Sequence, residues 1–323
     1  MPEWVTHMMV ADKVLEALPQ LDRHGFCVGN IAPDCNIQNE DWTVYTPSRE
    51  VTHWMQGKRK AVSDVDAFCE KYIWKRRKEL LAAMEKSLPD EDNDVSGTQR
   101  RYSRELFALE EYSFLLGYYS HLITDAVFQE VIRDEKRIAD VWVRIKADAT
   151  LMQKLREMEE QEAERMLRES EKQEVEQRLR EADRWKAEQR LPGEIRNTQG
   201  MEEAVQKGVR FPETWDTVKR LIPREERMRE FHSLEAEYLQ AHPDSGYFTD
   251  IMPLKEFPDY IDYLPPGSIA FKIPYLGSYL PEIYEEAKFI GFSRKEFERY
   301  IGRTVAMVLE RFREMGLVDE LDD

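Results

Sequence analysis

Few features that would place the chain in a special class are present. No run approaches the roughly 20 apolar residues that span a bilayer, which excludes a helical membrane span. The opening MPEWVTHMMVADKVLEAL has no basic start followed by a continuous apolar core, so no signal peptide is expected. Cysteine is scarce: Cys27, Cys35 and Cys69 are the three in the chain, an odd number that argues against a disulfide framework. With no export signal, the expectation is a reducing, cytoplasmic setting. Positive charge is in deficit. A formal net charge of −17 disfavours nucleic acid or an anionic membrane as the main partner. It leaves room for a small phosphorylated substrate, because a bound metal ion outweighs the overall field locally. Histidine is scarce too, with six in 323 residues, and the placement of those six carries most of the argument below.

Hydrophobic residues make up 41% of the chain, enough for a sizeable core, and strand signals are weak throughout. An all-α fold is expected. Apolar spacing predicts helices over residues 3–18, 62–87, 102–133, 135–190, 224–241 and 293–316. Residues 24–53 read as irregular, with Gly25, Gly29, Pro33 and Pro47 as breakers. From Arg156 to Leu191 charged residues outnumber uncharged ones, so this stretch cannot be buried and reads as an exposed arm ended by Pro192-Gly193. Residues 252–283, rich in proline and aromatics, are too apolar for a linker and read as a cover packed on the helices. The expected organisation is a metal-binding helical core at 1–134, a charged helical insertion at 135–193 and C-terminal elements at 194–323 completing the core domain. Self-association through residues 135–191 is one role open to the insertion.

Candidate chemistry concentrates in the N-terminal half. Between Glu111 and Glu130 the one formally charged residue is Asp125, one helical turn after His121 and two turns after Gly117. On a helix these three share a stripe. A buried carboxylate without compensation is very costly, so Asp125 needs a cation, several donors or a proton. The bland alternative is a hydrogen-bonded core pair. His7 falls on the inward stripe of the first helix with Val10, Val14 and Leu18. Asp34 ends the turn GNIAPD, and His53 lies in THW. Three histidines and two carboxylates from separate segments suit zinc or a similar divalent ion.

Other stretches carry weaker signals. Asp90, Asp92, Asp94 and Ser96 alternate like a calcium loop, but Val95 replaces the turn glycine and Arg101 the bidentate glutamate. His24, Cys27 and Cys35 fit no strong zinc spacing. The basic runs at 57–60 and 75–78 read as solvated faces, and Trp54, Tyr118 and Tyr119 as core or pocket walls.

TH at 6–7, GNIAPD at 29–34, THW at 52–54 and GYYSHLITD at 117–125 follow one another in the order seen in zinc-dependent phospholipase C, over about residues 1–132. The N-terminal part resembles that family, within the all-α phospholipase C/P1 nuclease superfamily. The resemblance implies a phosphoesterase using one to three zinc ions. Asp34, His53, His121 and Asp125 would hold one ion. Asp125 would bridge to a second ion that His7 also binds, and Asp34 would double as a catalytic base. The family's amino-terminal tryptophan ligand is not matched, because Trp4 is internal. Its distal histidine–glutamate pair has His232, with Glu235 or Glu237, as the remaining candidate. Trp54 and Tyr118 are candidate substrate-pocket residues, and the substrate would be a small phosphate ester or phospholipid head group. The competing reading is a non-enzymatic helical protein, with a structural metal or hydrogen-bonded His/Asp core and a charged arm that binds a partner.

Overall fold

A computed structural model describes residues 3–41, 43–56, 62–85, 105–106, 109–188, 209–277 and 279–315. The calcium-like stretch from Asp90 to Ser96, the basic run at 57–60 and the Pro192-Gly193 break lie outside the described residues. The fold is all-α. Twelve α-helices are seen among the described residues, and the sole sheet there is a two-stranded antiparallel ribbon of β1 (Ile37–Gln38) and β2 (Tyr45–Thr46). No helix in them is long and apolar enough to cross a membrane. The chain divides into two compact units, residues 1–134 with 227–323, and residues 135–226.

The first unit is built around α6 (Glu110–Val131). Every side chain from Tyr112 to Phe128 is buried, so this helix is apolar on all sides and runs through the core. Glu110 and Glu111 in its first turn complement the positive end of the helix dipole. The preceding helices are α1 (Trp4–Ala17), α2 (Arg23–Gly29), α3 (Arg49–Thr52), α4 (Val65–Phe68) and α5 (Lys75–Glu85), the last two joined by a π-helical turn at Cys69–Trp74. The stretch read as irregular from its breakers thus contains α2 and α3, and for α2 the reason is close packing. A Cβ at Gly29 would stand 2.1 Å from the Phe114 carbonyl oxygen, and one at Gly117 would stand 2.2 Å from that of Phe26. The two glycines let α2 and α6 cross backbone against backbone. That contact fixes Asn30 and the following turn, Ala32–Asp34, against the middle of α6.

The C-terminal part of this unit adds α10 (Arg224–Ala241), α11 (Ser268–Gly277) and α12 (Arg294–Glu314). α12 opens with a capping box of Ser293 and Glu296 and packs on α6, where the Tyr300 hydroxyl donates to the Thr124 carbonyl at 3.2 Å. Buried Glu230 accepts from the backbone N–H groups of Ile290, Gly291 and Phe292, which replaces its lost water. From the proline- and aromatic-rich segment, the Tyr263 hydroxyl donates to Tyr118 at 2.7 Å and accepts from the Trp54 indole at 3.1 Å.

The second unit holds α7 (Glu135–Ala147), α8 (Ala149–Glu188) and α9 (Trp215–Leu221). The single helix expected over 135–190 is broken at Asp148, whose carboxylate caps α8 through the Leu151 N–H at 3.0 Å. Val141, Trp142, Ile145, Leu151, Val218 and Leu221 form its small core. From Arg156 to Glu181, α8 is largely exposed and carries local pairs such as Arg168 with Glu164 and Arg165 with Glu169.

Candidate metal centre

Five side chains meet beside the α2–α6 crossing. His7 comes from α1 and Asp34 from the turn after α2. His53 caps the C-terminal end of α3, and His121 and Asp125 stand one turn apart on α6. His53 Nε2 lies 3.3 Å from His121 Nε2, 3.3 Å from Asp34 Oδ1 and 3.7 Å from Asp125 Oδ2. His7 Nε2 is 3.8 Å from Asp125 Oδ1, and the His7 ring stacks on that of His121 at 3.8 Å between centroids, 2° from parallel. Among the described residues two trios have ligand atoms close enough to share an ion: His7, Asp34 and His121, and His53, His121 and Asp125. His121 belongs to both.

Hydrogen bonds set the tautomers. His121 Nδ1 lies 2.7 Å from the Asn30 carbonyl, an acceptor only, so Nδ1 carries the proton and Nε2 offers a lone pair. His53 Nε2 accepts from the Arg49 guanidinium at 2.7 Å, which places its own proton on Nδ1, toward Thr52 Oγ1 at 2.8 Å. The His121 Nε2 lone pair therefore faces a second acceptor at 3.3 Å, with the Arg49 guanidinium beside His53 as the cation that serves the pair; a metal ion taking the His53 lone pair would displace that bond. His7 is buried, and neither ring nitrogen has a hydrogen-bond partner among the described residues. Orphaned buried polar atoms are rare and need an explanation. A divalent ion supplies one here, and three imidazoles with two carboxylates are a donor set suited to zinc. A carbonyl accepting from the far ring nitrogen is also the usual means of orienting a histidine ligand.

The electrostatics agree. Burial holds His7 well below the ordinary imidazole range, and neighbouring His121 adds to the effect. Burial also lowers His121, against the pull of Asp34 and Asp125. Both are neutral, as ligands must be, at neutral pH. Burial alone would raise the Asp34 carboxyl. The positive charge of Arg49 outweighs it and holds Asp34 well below the usual carboxylate range. The site is thus a set of lone pairs and negative charge buried on most sides, facing an arginine.

Residues 6–128 match the zinc dependent phospholipase C family. The matched stretch includes all five converging residues and Arg49. No curated protein and no solved structure matches the chain.

The remaining sequence candidates do not join the five. Glu237 pairs with Arg294 on the surface. His232 is half-buried and lines a cavity of about 120 Å³ with Glu3, Trp4, Glu235 and Tyr279. Glu235 is buried and accepts from the Thr6 hydroxyl at 2.6 Å and the Thr6 N–H at 3.1 Å. Tyr118 is fully buried and donates to the Thr52 carbonyl at 2.6 Å, and half-buried Trp54 bonds Tyr263. His24 pairs with Asp250 at 3.2 Å, while Cys27 and Cys35 are free and buried. Two cationic neighbours escaped sequence reasoning. Arg49 is the one whose spacing was informative, since it stands one helical turn before His53. Lys272 on α11 is buried near Cys35 and Asp34, and burial lowers its pKa.

Burial pushes the Glu235 carboxyl up to about 8 from 4.5, with the Thr6 bonds opposing. A carboxyl raised in the folded state binds protons more tightly there. Its contribution to stability is complete below 4.5 and is lost as pH rises through about 8. Urea midpoints of the wild type should therefore fall relative to Glu235→Gln across that window. Parallel curves for the two proteins would show that the carboxyl is ionised when folded.

Proposed function

We propose that the protein is a metal-dependent phosphoric ester hydrolase, of phospholipase C type, that uses zinc. The observation that carries this reading is the meeting of His53 and His121 lone pairs, orphaned His7 and two carboxylates inside the stretch that matches the family. His53, His121 and Asp125 would hold one ion, and His7 and Asp34 would contribute to a second. Zinc bound there would supply Lewis-acid activation of water near neutral pH and neutralise charge on the phosphoryl oxygens.

The chain's own groups do the rest. The Asn30 carbonyl keeps the His121 proton on Nδ1, so Nε2 stays available. Thr52 keeps the His53 proton on Nδ1, so Nε2, which accepts from Arg49, carries the lone pair an ion would take. Asp34 is ionised and the more exposed of the two carboxylates, at 15% against 10% for Asp125. We assign it to accept the proton of the attacking water at a carboxylate oxygen. The apolar surroundings of α6 limit bulk water on the inner side and strengthen these interactions.

Purified without a metal-affinity tag, the chain should carry at least one tightly held divalent ion. It should hydrolyse generic phosphate mono- or diesters, lose turnover to a chelator and regain it with zinc. Full metal occupancy without turnover across a broad panel would instead favour a structural metal in a non-enzymatic helical protein.

A further inference from the structure

Arg49 is the cation of the cluster, and its position differs from that of the ligands. Its guanidinium lies 2.7 Å from His53 Nε2, 3.2 Å from Asp34 Oδ1 and 3.9 Å from Asp125 Oδ2. The Arg49 side chain is 30% exposed, whereas those of His7 and His53 are 1% exposed. Arg49 is therefore the most exposed side chain of the site, with Asp34 next at 15%, and forms its solvent-facing edge. Any solute reaching the five side chains from that edge meets the guanidinium first.

The local charge makes that edge matter. Two carboxylates in the cluster and a formal net charge of −17 on the chain repel an anionic substrate. We infer that Arg49 binds the phosphoryl group of the substrate, presenting a two-pronged N–H face to two of its oxygens. Arginine suits this task because its planar fork matches phosphate geometry, which lysine does not reproduce. Nη2 bonds His53 and Nη1 pairs with Asp34, which leaves three of the five guanidinium N–H groups for an anion. Arg49 is the first residue of the four-residue helix Arg49–Thr52 and sits one turn before His53, so a single short element sets both a ligand and the anion contact. The inference rests on the hydrolase reading above and adds the residue that recognises the substrate's charge.

The test uses the full, zinc-loaded chain and inorganic phosphate as the probe, with binding read by calorimetry and zinc by elemental analysis. Arg49→Gln should keep the wild-type zinc content and weaken phosphate binding by about tenfold or more, the scale of a lost charge-assisted hydrogen bond. Arg49→Lys, which keeps the charge but not the fork, should fall between the two. Phosphate affinity within about twofold of wild type in zinc-loaded Arg49→Gln overturns the inference alone. Loss of zinc from that variant also overturns it, because Arg49 would then be a group that positions the ligands. If the glutamine variant does not fold, Arg49→Lys decides: weaker phosphate at unchanged zinc supports the assignment, and unchanged phosphate overturns it. Wild type that takes up no zinc would overturn the hydrolase reading and this assignment together.

Discussion

Replacing His121 with alanine should abolish zinc uptake and phosphate-ester hydrolysis together. His121 Nε2 belongs to both groups of side chains able to share an ion, so its loss leaves neither group complete. Removing a residue that merely orients a metal ligand typically costs 10–100-fold in metal affinity or activity. Loss of a shared ligand should therefore exceed about a hundredfold in kcat/KM. The fold should tolerate the change better than the site does, because His121 has one clear hydrogen-bond partner, the Asn30 carbonyl. Circular dichroism and zinc analysis on the same preparation separate the two effects. A folded His121→Ala protein that keeps its zinc and its turnover would remove this residue from the centre.

Gly29→Ala should destabilise the first unit by about 3 kcal/mol or more, the upper range for overpacking a core. The added methyl would stand 2.1 Å from the Phe114 carbonyl oxygen, and a backbone atom in the central helix cannot swing aside. Relief requires α2 to move away from α6. That movement would strain the 2.7 Å bond between the Asn30 carbonyl and His121 Nδ1 and shift the turn that carries Asp34. The variant should lose zinc affinity as well as thermal stability. Gly302→Ala on α12 is the control, since nothing lies within 4 Å of its added methyl. It should be neutral or slightly stabilising, as alanine is the better helix former. Equal melting temperatures for Gly29→Ala and the wild type would refute the backbone-to-backbone crossing.

Gly117 and Gly29 differ in what a linear pattern conveys. Gly117, His121 and Asp125 repeat every four residues in a long apolar stretch, so helix, stripe and burial all follow from spacing. His7 was legible for the same reason. Gly25 and Gly29 read as breakers because local propensity disfavours glycine in a helix. Their packing partner, α6, is some 85 residues away in sequence, and nothing in the α2 stretch announces it. Arg49 escaped notice because a four-residue helix is too short to show periodicity, although its spacing from His53 matches that of His121 and Asp125. Glu235 sits on a helix that looks solvated by composition, and tertiary packing against Thr6 buries it. The all-α class was legible because amphipathic spacing recurs along most of the chain. The break at Asp148 was not, since apolar positions continue on either side of its capping carboxylate.

The claim on which everything else depends is that His7, Asp34, His53, His121 and Asp125 bind a divalent cation. X-ray absorption at the zinc edge, on wild-type chain titrated with zinc and freed of loosely held ion, addresses it most directly. The expected spectrum shows nitrogen and oxygen neighbours at about 2.0–2.2 Å with imidazole multiple scattering and no sulfur shell. A sulfur shell near 2.3 Å, or a chain that retains no zinc at all, would contradict the account.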